Sequence, residues 1–315
     1  MNRDTRNHAL PRQKISTTVR SNIIGRLIRT AFGLGSWLAP ETTAARAGRL
    51  FATPLAATRR AAGQPLPADG RRVDVDADGH RVVAYVWGEP ARQPYVLFSH
   101  GWSSHGLRID SWLPALTAAG YAVVGFDQFA HGRSPGRQTT LPGFRDHLLA
   151  VGRRFGPAAA VIGHSLGGAA TMLALEAGLR ADRVVLVAPA ADPIDASRRF
   201  AGMIGLAAHV CRRMRAQFES RLGIRFEDMQ AHTVVPHLAQ PALVVHDLRD
   251  REVPWSEGER YARFWPHARL LTTDGLGHRR ILDDPEVIRA GVDFIEGRTV
   301  GDRIVSTQDL PYGFA

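Results

Sequence analysis

A chain of 315 residues, 44% hydrophobic and 22% charged, is long enough for one large α/β domain or two small ones and apolar enough to bury a sizeable core. Cys211 is the only cysteine, which excludes an intrachain disulfide. The net charge of +10 is unevenly placed: residues 1–60 carry eleven Arg or Lys against Asp4 and Glu41, and the remainder is near neutral. A nucleic-acid reader carries its basic residues on the folded domain that grips the ligand, so this distribution argues against that class of partner.

Residues 1–20 are polar and basic and are expected to be disordered. Ile23, Ile24, Leu27, Ile28, Ala31 and Phe32 then recur at helical spacing, with Arg26 and Arg29 on the opposite side. The apolar run is too short for a transmembrane span, and its arginines also spoil the apolar core that a secretory signal needs. The expectation is a basic amphipathic helix that makes peripheral membrane contact through residues 20–35 or packs on a body located in the cytoplasm. Glu41 to Ala62 reads as a second helix and Gln64-Pro65-Leu66-Pro67 as a linker, so residues 1–67 form an N-terminal extension.

The main domain is expected over residues 68–298. Arg72–Asp76 and Arg81–Trp87 flank Asp78-Gly79, a hairpin signal between two strand-like runs. Strand and helix patterns then alternate, which predicts a mostly parallel sheet with helices on both faces. The strand-like runs are Tyr95–Ser99, Ala122–Phe126, Ala158–Ile162, Val184–Val187, Ala242–Val245 and Arg269–Thr272. The helical segments are Arg108–Ala119, Phe144–Arg154, Ala169–Leu179, Ser256–Trp265 and Pro285–Glu296. Ser256 with Glu259 fits a capping box, and Asp284-Pro285 fits a helix start. Alternation breaks at about residues 190–236, where no strand is evident, which predicts a small helical cap. Residues 299–315 form a tail without a usable signal.

The chemistry gathers where strands end. The apolar run Ala158–Ile162 enters Gly163-His164-Ser165-Leu166-Gly167-Gly168 and leaves as a helix, the context of a nucleophile elbow. Ser165 should project from a strained turn, with the Leu166 N–H aimed at an oxyanion. His100-Gly101-Trp102 closes an earlier strand, and the Trp102 amide there can serve as a second oxyanion donor. Asp127, His131 and Ser134 crowd into one loop before the elbow, and Asp127 and His131 are expected to fix that loop by hydrogen bonds. Asp247 ends a strand and Asp250 lies in the loop beyond it; either carboxylate could orient a histidine. His278 follows both serine and acid on a Gly-flexed loop after the last strand.

Taken together, His100-Gly101-Trp102, Asp127 with His131–Ser134, Gly163–Gly168, Asp250 with Val253-Pro254, and Gly277-His278 resemble the α/β-hydrolase superfamily over about residues 70–297. The order Ser165, acid, His278 is the order of that fold. The resemblance implies an α/β-hydrolase fold without metal or other cofactor, with Ser165 as nucleophile, His278 as general base and acid, and Asp250 as the orienting acid. It also implies the Trp102 and Leu166 amides as oxyanion donors. Similar proteins are mostly esterases, lipases and thioesterases, and serine at the elbow argues against the aspartate-based dehalogenase and epoxide hydrolase chemistries. The expected activity is hydrolysis of a small-molecule carboxylic ester or thioester through an acyl-enzyme. Carbon–carbon bond hydrolysis, acyl transfer and a non-catalytic binding role on the same fold are the alternatives. Trp102, Phe129 and the cap residue Met203 suggest an apolar substrate pocket.

Overall fold

The computed structural model describes residues 17–55 and 62–304, with side chains from residue 24 onward. The expected disorder of residues 1–16 lies outside the described residues, as do residues 56–61 and 305–315, whereas residues 17–20, also expected to be disordered, form the first turn of a helix. The chain begins with two helices, α1 (Thr17–Leu38) and α2 (Pro40–Phe51), separated by Ala39. The hairpin follows as β1 (Arg71–Ala77) and β2 (His80–Trp87), with Asp78 and Gly79 both at positive φ in its turn. Then come β3 (Tyr95–Ser99), a 3₁₀ turn at Gly106–Trp112, α3 (Leu113–Ala118), β4 (Ala122–Asp127), α4 (Leu141–Phe155), β5 (Ala158–His164), α5 (Leu166–Glu176) and β6 (Ala181–Val187). The cap contains α6 (Pro193–Ile204), α7 (Ala208–Leu222) and the short α8 (Ala231–Val234). The chain returns through β7 (Ala242–Asp247), α9 (Trp255–Phe264), β8 (Ala268–Thr273), α10 (Gly277–Arg280) and α11 (Pro285–Ile295).

The eight strands form one sheet in the order β1-β2-β4-β3-β5-β6-β7-β8. Only β2 runs against its neighbours; the pairs from β4 through β8 are parallel. Parallel strands need both faces covered, and the period-2 alternation of each strand shows how this is met. Val96 and Phe98 enter one layer with Ile109, Trp112, Leu116, Val292 and Phe294. Leu97 enters the other with Leu148, Met172, Leu173, Tyr261 and the cap residues Met214 and Phe218. Each large side chain fully buried in this way contributes about 1.5–3 kcal/mol. Parallel strands with this connectivity bring the carboxyl ends of β3, β4, β5, β7 and β8 to one rim.

Three expected elements differ in detail. The helix expected over Glu41–Ala62 ends at Phe51, with Ala52 as its C-cap. The helix expected over Arg108–Ala119 is a 3₁₀ turn followed by α3, because Pro114 lacks the N–H that would continue a single ladder. The Ser256–Glu259 capping box does not form: Pro254 is the N-cap of α9, and Glu259 instead receives Arg263. Asp284 does cap α11, accepting from the amides of Glu286 and Val287 at 3.0 and 3.1 Å.

The extension is part of the main core. Ala44, Ala47 and Ala52 of the leader are buried in the same layer as the cap. The cap is itself locked to the sheet by buried ions. Glu257 accepts from the Ala191 amide at 2.7 Å and from Arg199, while Asp192 caps α6 and receives Arg260 at 2.8 Å.

Candidate active site

β5 ends at His164 and α5 begins at Leu166, leaving Ser165 alone in the turn with φ 54° and ψ −122°. Left-handed backbone is costly for a residue with a side chain, so the surroundings must impose it. They do so by close approach. A Cβ added to Gly167 would stand 2.1 Å from the Ser99 carbonyl oxygen, and one added to Gly168 would stand 2.8 Å from Pro189. The glycines therefore let α5 press against the ends of β3 and β6, and the compressed turn lifts Ser165 clear of the sheet.

Two hydrogen bonds then run in series. The Ser165 hydroxyl lies 2.9 Å from His278 Nε2, and His278 Nδ1 lies 2.7 Å from Asp250 Oδ2. For the histidine to serve both partners, Nδ1 carries the proton donated to Asp250 and Nε2 accepts from the serine. Asp250 is fully buried. Its Oδ1 accepts from the Glu252 and Val253 amides at 2.8 and 2.9 Å, which fixes the carboxylate in the plane needed to meet His278. Burial alone would raise the Asp250 pKa, but hydrogen bonds from His246 and His278 and the attraction of His278 hold it below the ordinary carboxylate value. Asp250 is thus charged throughout the neutral range.

Leu166 is the first residue of α5, so its N–H has no acceptor within the helix and lies at the positive end of the helix dipole. The β3 loop approaches it closely: a Cβ on Gly101 would stand 2.9 Å from Ser165 Cβ, which places the Trp102 peptide beside the serine. The Trp102 indole packs edge-on against His131, 5.0 Å between centroids. Phe129 lies in a stack with His80 at 4.3 Å, and Met203 is 66% exposed on α6. Of the three residues expected to line an apolar pocket, Trp102 is the one that the structure brings to the elbow. An open cleft of about 410 Å³ does flank His278, but the side chains around it are mostly charged, Arg249, Arg251, Glu252, Arg279 and Arg280 beside Leu276.

The loop after β4 is held as expected. Asp127 accepts from the Tyr85 hydroxyl at 2.6 Å and from the Arg133 and Gly106 amides, both at 2.7 Å. His131 Nε2 accepts from the Ser103 amide at 3.1 Å. Asp247 has a different task from Asp250. It accepts from the Thr273 hydroxyl at 2.7 Å, the Leu276 amide at 2.9 Å and the Arg249 amide at 2.9 Å. One carboxylate therefore ties the acid loop to the base loop.

Three histidines that lie in or beside the motifs were given no role by the sequence. His246, wholly buried on β7, donates through Nε2 to the Val253 carbonyl at 3.0 Å and approaches Asp250 Oδ2 at 3.4 Å. His164 donates to the backbone carbonyl of His278 at 2.9 Å and lies against its ring. His100 donates to the Gly101 carbonyl at 2.7 Å and accepts from the Gln128 amide at 3.0 Å. His246 sits one residue inside the end of β7, His164 is the last residue of β5, and His100 is the first residue beyond β3, positions that could have drawn notice.

Burial, and then the neighbouring His278, push the His164 pKa down to about 3. Burial, and then His80, push His147 down to about 4. The unfolded chain takes up these protons near pH 6.5, whereas the folded one resists until about pH 3–4. Stability is therefore complete above about pH 6.5 and is lost as the pH falls toward 4, by about 1.4 kcal/mol per pH unit for each excluded proton. Thermal melts across that range should show the decline, and His147→Gln should make its slope shallower by one proton.

Residues 90–247, half of the chain, match the family model described as serine aminopeptidase, S33. The chain belongs to this family of α/β-hydrolases. The match includes the elbow and the Trp102 loop and ends before Asp250 and His278. The solved structures similar to this α/β-hydrolase agree in fold. The esterase RhEst1 from Rhodococcus sp. ECU1013 is 20% identical, with a TM-score of 0.56 over 73% of this chain and 100% of that one. The esterase EaEST from Exiguobacterium antarcticum is 15% identical, with a TM-score of 0.57 over 72% and 100%. The meta-cleavage product hydrolase CumD from Pseudomonas fluorescens IP01 is 19% identical, with a TM-score of 0.53 over 71% and 97%. No curated protein matches the sequence.

Proposed function

We propose that this α/β-hydrolase is a serine hydrolase that cleaves carboxylic esters or thioesters through an acyl-enzyme on Ser165. The observation that carries the reading is the unbroken series Ser165–His278–Asp250 at 2.9 and 2.7 Å. His278 takes the serine proton as Oγ attacks the substrate carbonyl, and Asp250 stabilises the imidazolium. The Leu166 and Trp102 amides receive the oxyanion, each such donor being worth about 10²–10³ in rate. His278 then protonates the leaving group, and water activated by the same histidine releases the acid. Ester bonds are favoured over amides by the esterases among the similar structures.

The test is a series of p-nitrophenyl esters of increasing acyl length beside thioesters and amino-acid p-nitroanilides. Ester turnover with a nitrophenolate burst stoichiometric with enzyme is the expected result. Anilide cleavage with ester turnover at the buffer rate, or neither activity, overturns it.

A further inference from the structure

Helix α1 is turned opposite to the usual arrangement. It meets the body with Phe32 and a set of small and polar residues: Arg29 donates to the Gly202 carbonyl at 2.6 Å, and the Ser36 hydroxyl accepts from the Ala207 amide at 3.2 Å. Backbones come close here, since a Cβ on Gly205 would stand 2.8 Å from the Arg29 carbonyl oxygen. The stripe with core-like spacing faces solvent instead. Ile24, Leu27, Leu34 and Leu38 recur at three, seven and four residues and are exposed by 57, 64, 59 and 82%. Trp37, 80% exposed, touches only the edge of this packing through His209.

Isolated exposed leucines need no explanation, but an aligned row along a helix of 22 residues does. The charge around the row selects its occupant. Helix α1 carries Arg20, Arg26 and Arg29 with no acidic residue, and the sequence before it adds Arg3, Arg6, Arg12 and Lys14 against Asp4. Arg46 and Arg49 of α2 are exposed as well. Apolar side chains in a row, an indole at one end and a sequence with many more cations than acids suit the interfacial zone of an anionic bilayer. No helix among the described residues is long and apolar enough to cross a membrane, so the helix would lie in the surface.

We propose that the outward face of α1 docks this hydrolase on an anionic phospholipid surface. The docked face leads toward the reaction centre. The chain leaves α2 through Leu55, itself exposed, whose amide donates to Ser103 Oγ at 2.9 Å, one residue beyond Trp102. The segment from α1 to Leu55 therefore touches both the cap and the loop that holds Trp102.

The experiment is cosedimentation of the full chain with vesicles of phosphatidylcholine alone or mixed equally with phosphatidylglycerol, using Ser165→Ala protein so that binding is read without hydrolysis. The protein should pellet with the anionic vesicles and be released by high salt. Leu27→Glu and Leu34→Glu, both at exposed positions, should each weaken partitioning by about tenfold while leaving ester turnover and melting temperature unchanged in the Ser165 background. Wild-type protein remaining in the supernatant, or variants that pellet equally well, overturns the proposal. So does a dimer in sedimentation velocity that Leu27→Glu dissociates in the absence of vesicle binding, which would make the face a contact between two copies.

Discussion

Replacing Ser165 by alanine is expected to lower kcat/KM for a p-nitrophenyl ester by about 10⁴–10⁶ and to abolish labelling by a fluorophosphonate. The hydroxyl is the group that the proposed mechanism makes the nucleophile, and it lies 2.9 Å from His278 Nε2. Removing it leaves the fold intact, because the positive φ of residue 165 is imposed by the surrounding backbone and glycines rather than by the hydroxyl. The Leu166 and Trp102 amides also survive, so the variant should still exceed the uncatalysed rate. Labelling that persists in Ser165→Ala would place the nucleophile elsewhere.

Asp250→Asn is expected to lower kcat by about 10⁴, because an amide facing His278 Nδ1 can favour the tautomer that presents N–H to the serine. Asp247→Asn should behave differently. Its carboxylate faces only donors, from Thr273, Leu276 and Arg249, so an amide nitrogen there sets two donors against each other. The expected result is a loss of about 1–3 kcal/mol in stability with a much smaller change in kcat. Paired kinetics and thermal melts separate the two aspartates; a larger kinetic loss at Asp247 would transfer the role of acid to it.

The sequence disclosed the sheet because parallel strands buried on both faces read as continuous apolar runs, as in Val184–Val187 and Ala242–Val245. The elbow was legible for a related reason, since its glycines are demanded by contacts as short as that of Gly167 with Ser99. The supporting histidines were less visible. His164 acts through a carbonyl 114 residues away, which no local spacing encodes, whereas the partners of His246, Asp250 and Val253, lie in the loop directly after its strand. The residues alone left Asp247 and Asp250 open, and the family resemblance pointed to Asp250; the coordinates put Asp250 against His278 and give Asp247 to Thr273, Leu276 and Arg249.

The orientation of α1 was not legible at all. Its hydrophobic period was read correctly, yet the period alone does not say which side meets protein. The inward surface is made by Gly33 and Ser36 against Gly205, with Phe32 as a large apolar contact, so close backbone approach decides the side more than the apolar stripe does.

That docking has a consequence for how the chain is made. Arg29 and Ser36 find their partners 173 and 171 residues further along, in the cap. During N-to-C synthesis the leader helices emerge first but have no seat until more than half of the chain has followed, a loop closure of high contact order. Over that interval both sides of α1 are uncovered. A nascent chain of this protein is thus a basic, apolar-striped segment awaiting its own cap, and it is in this state that holdase chaperones or premature self-association would act on it most strongly.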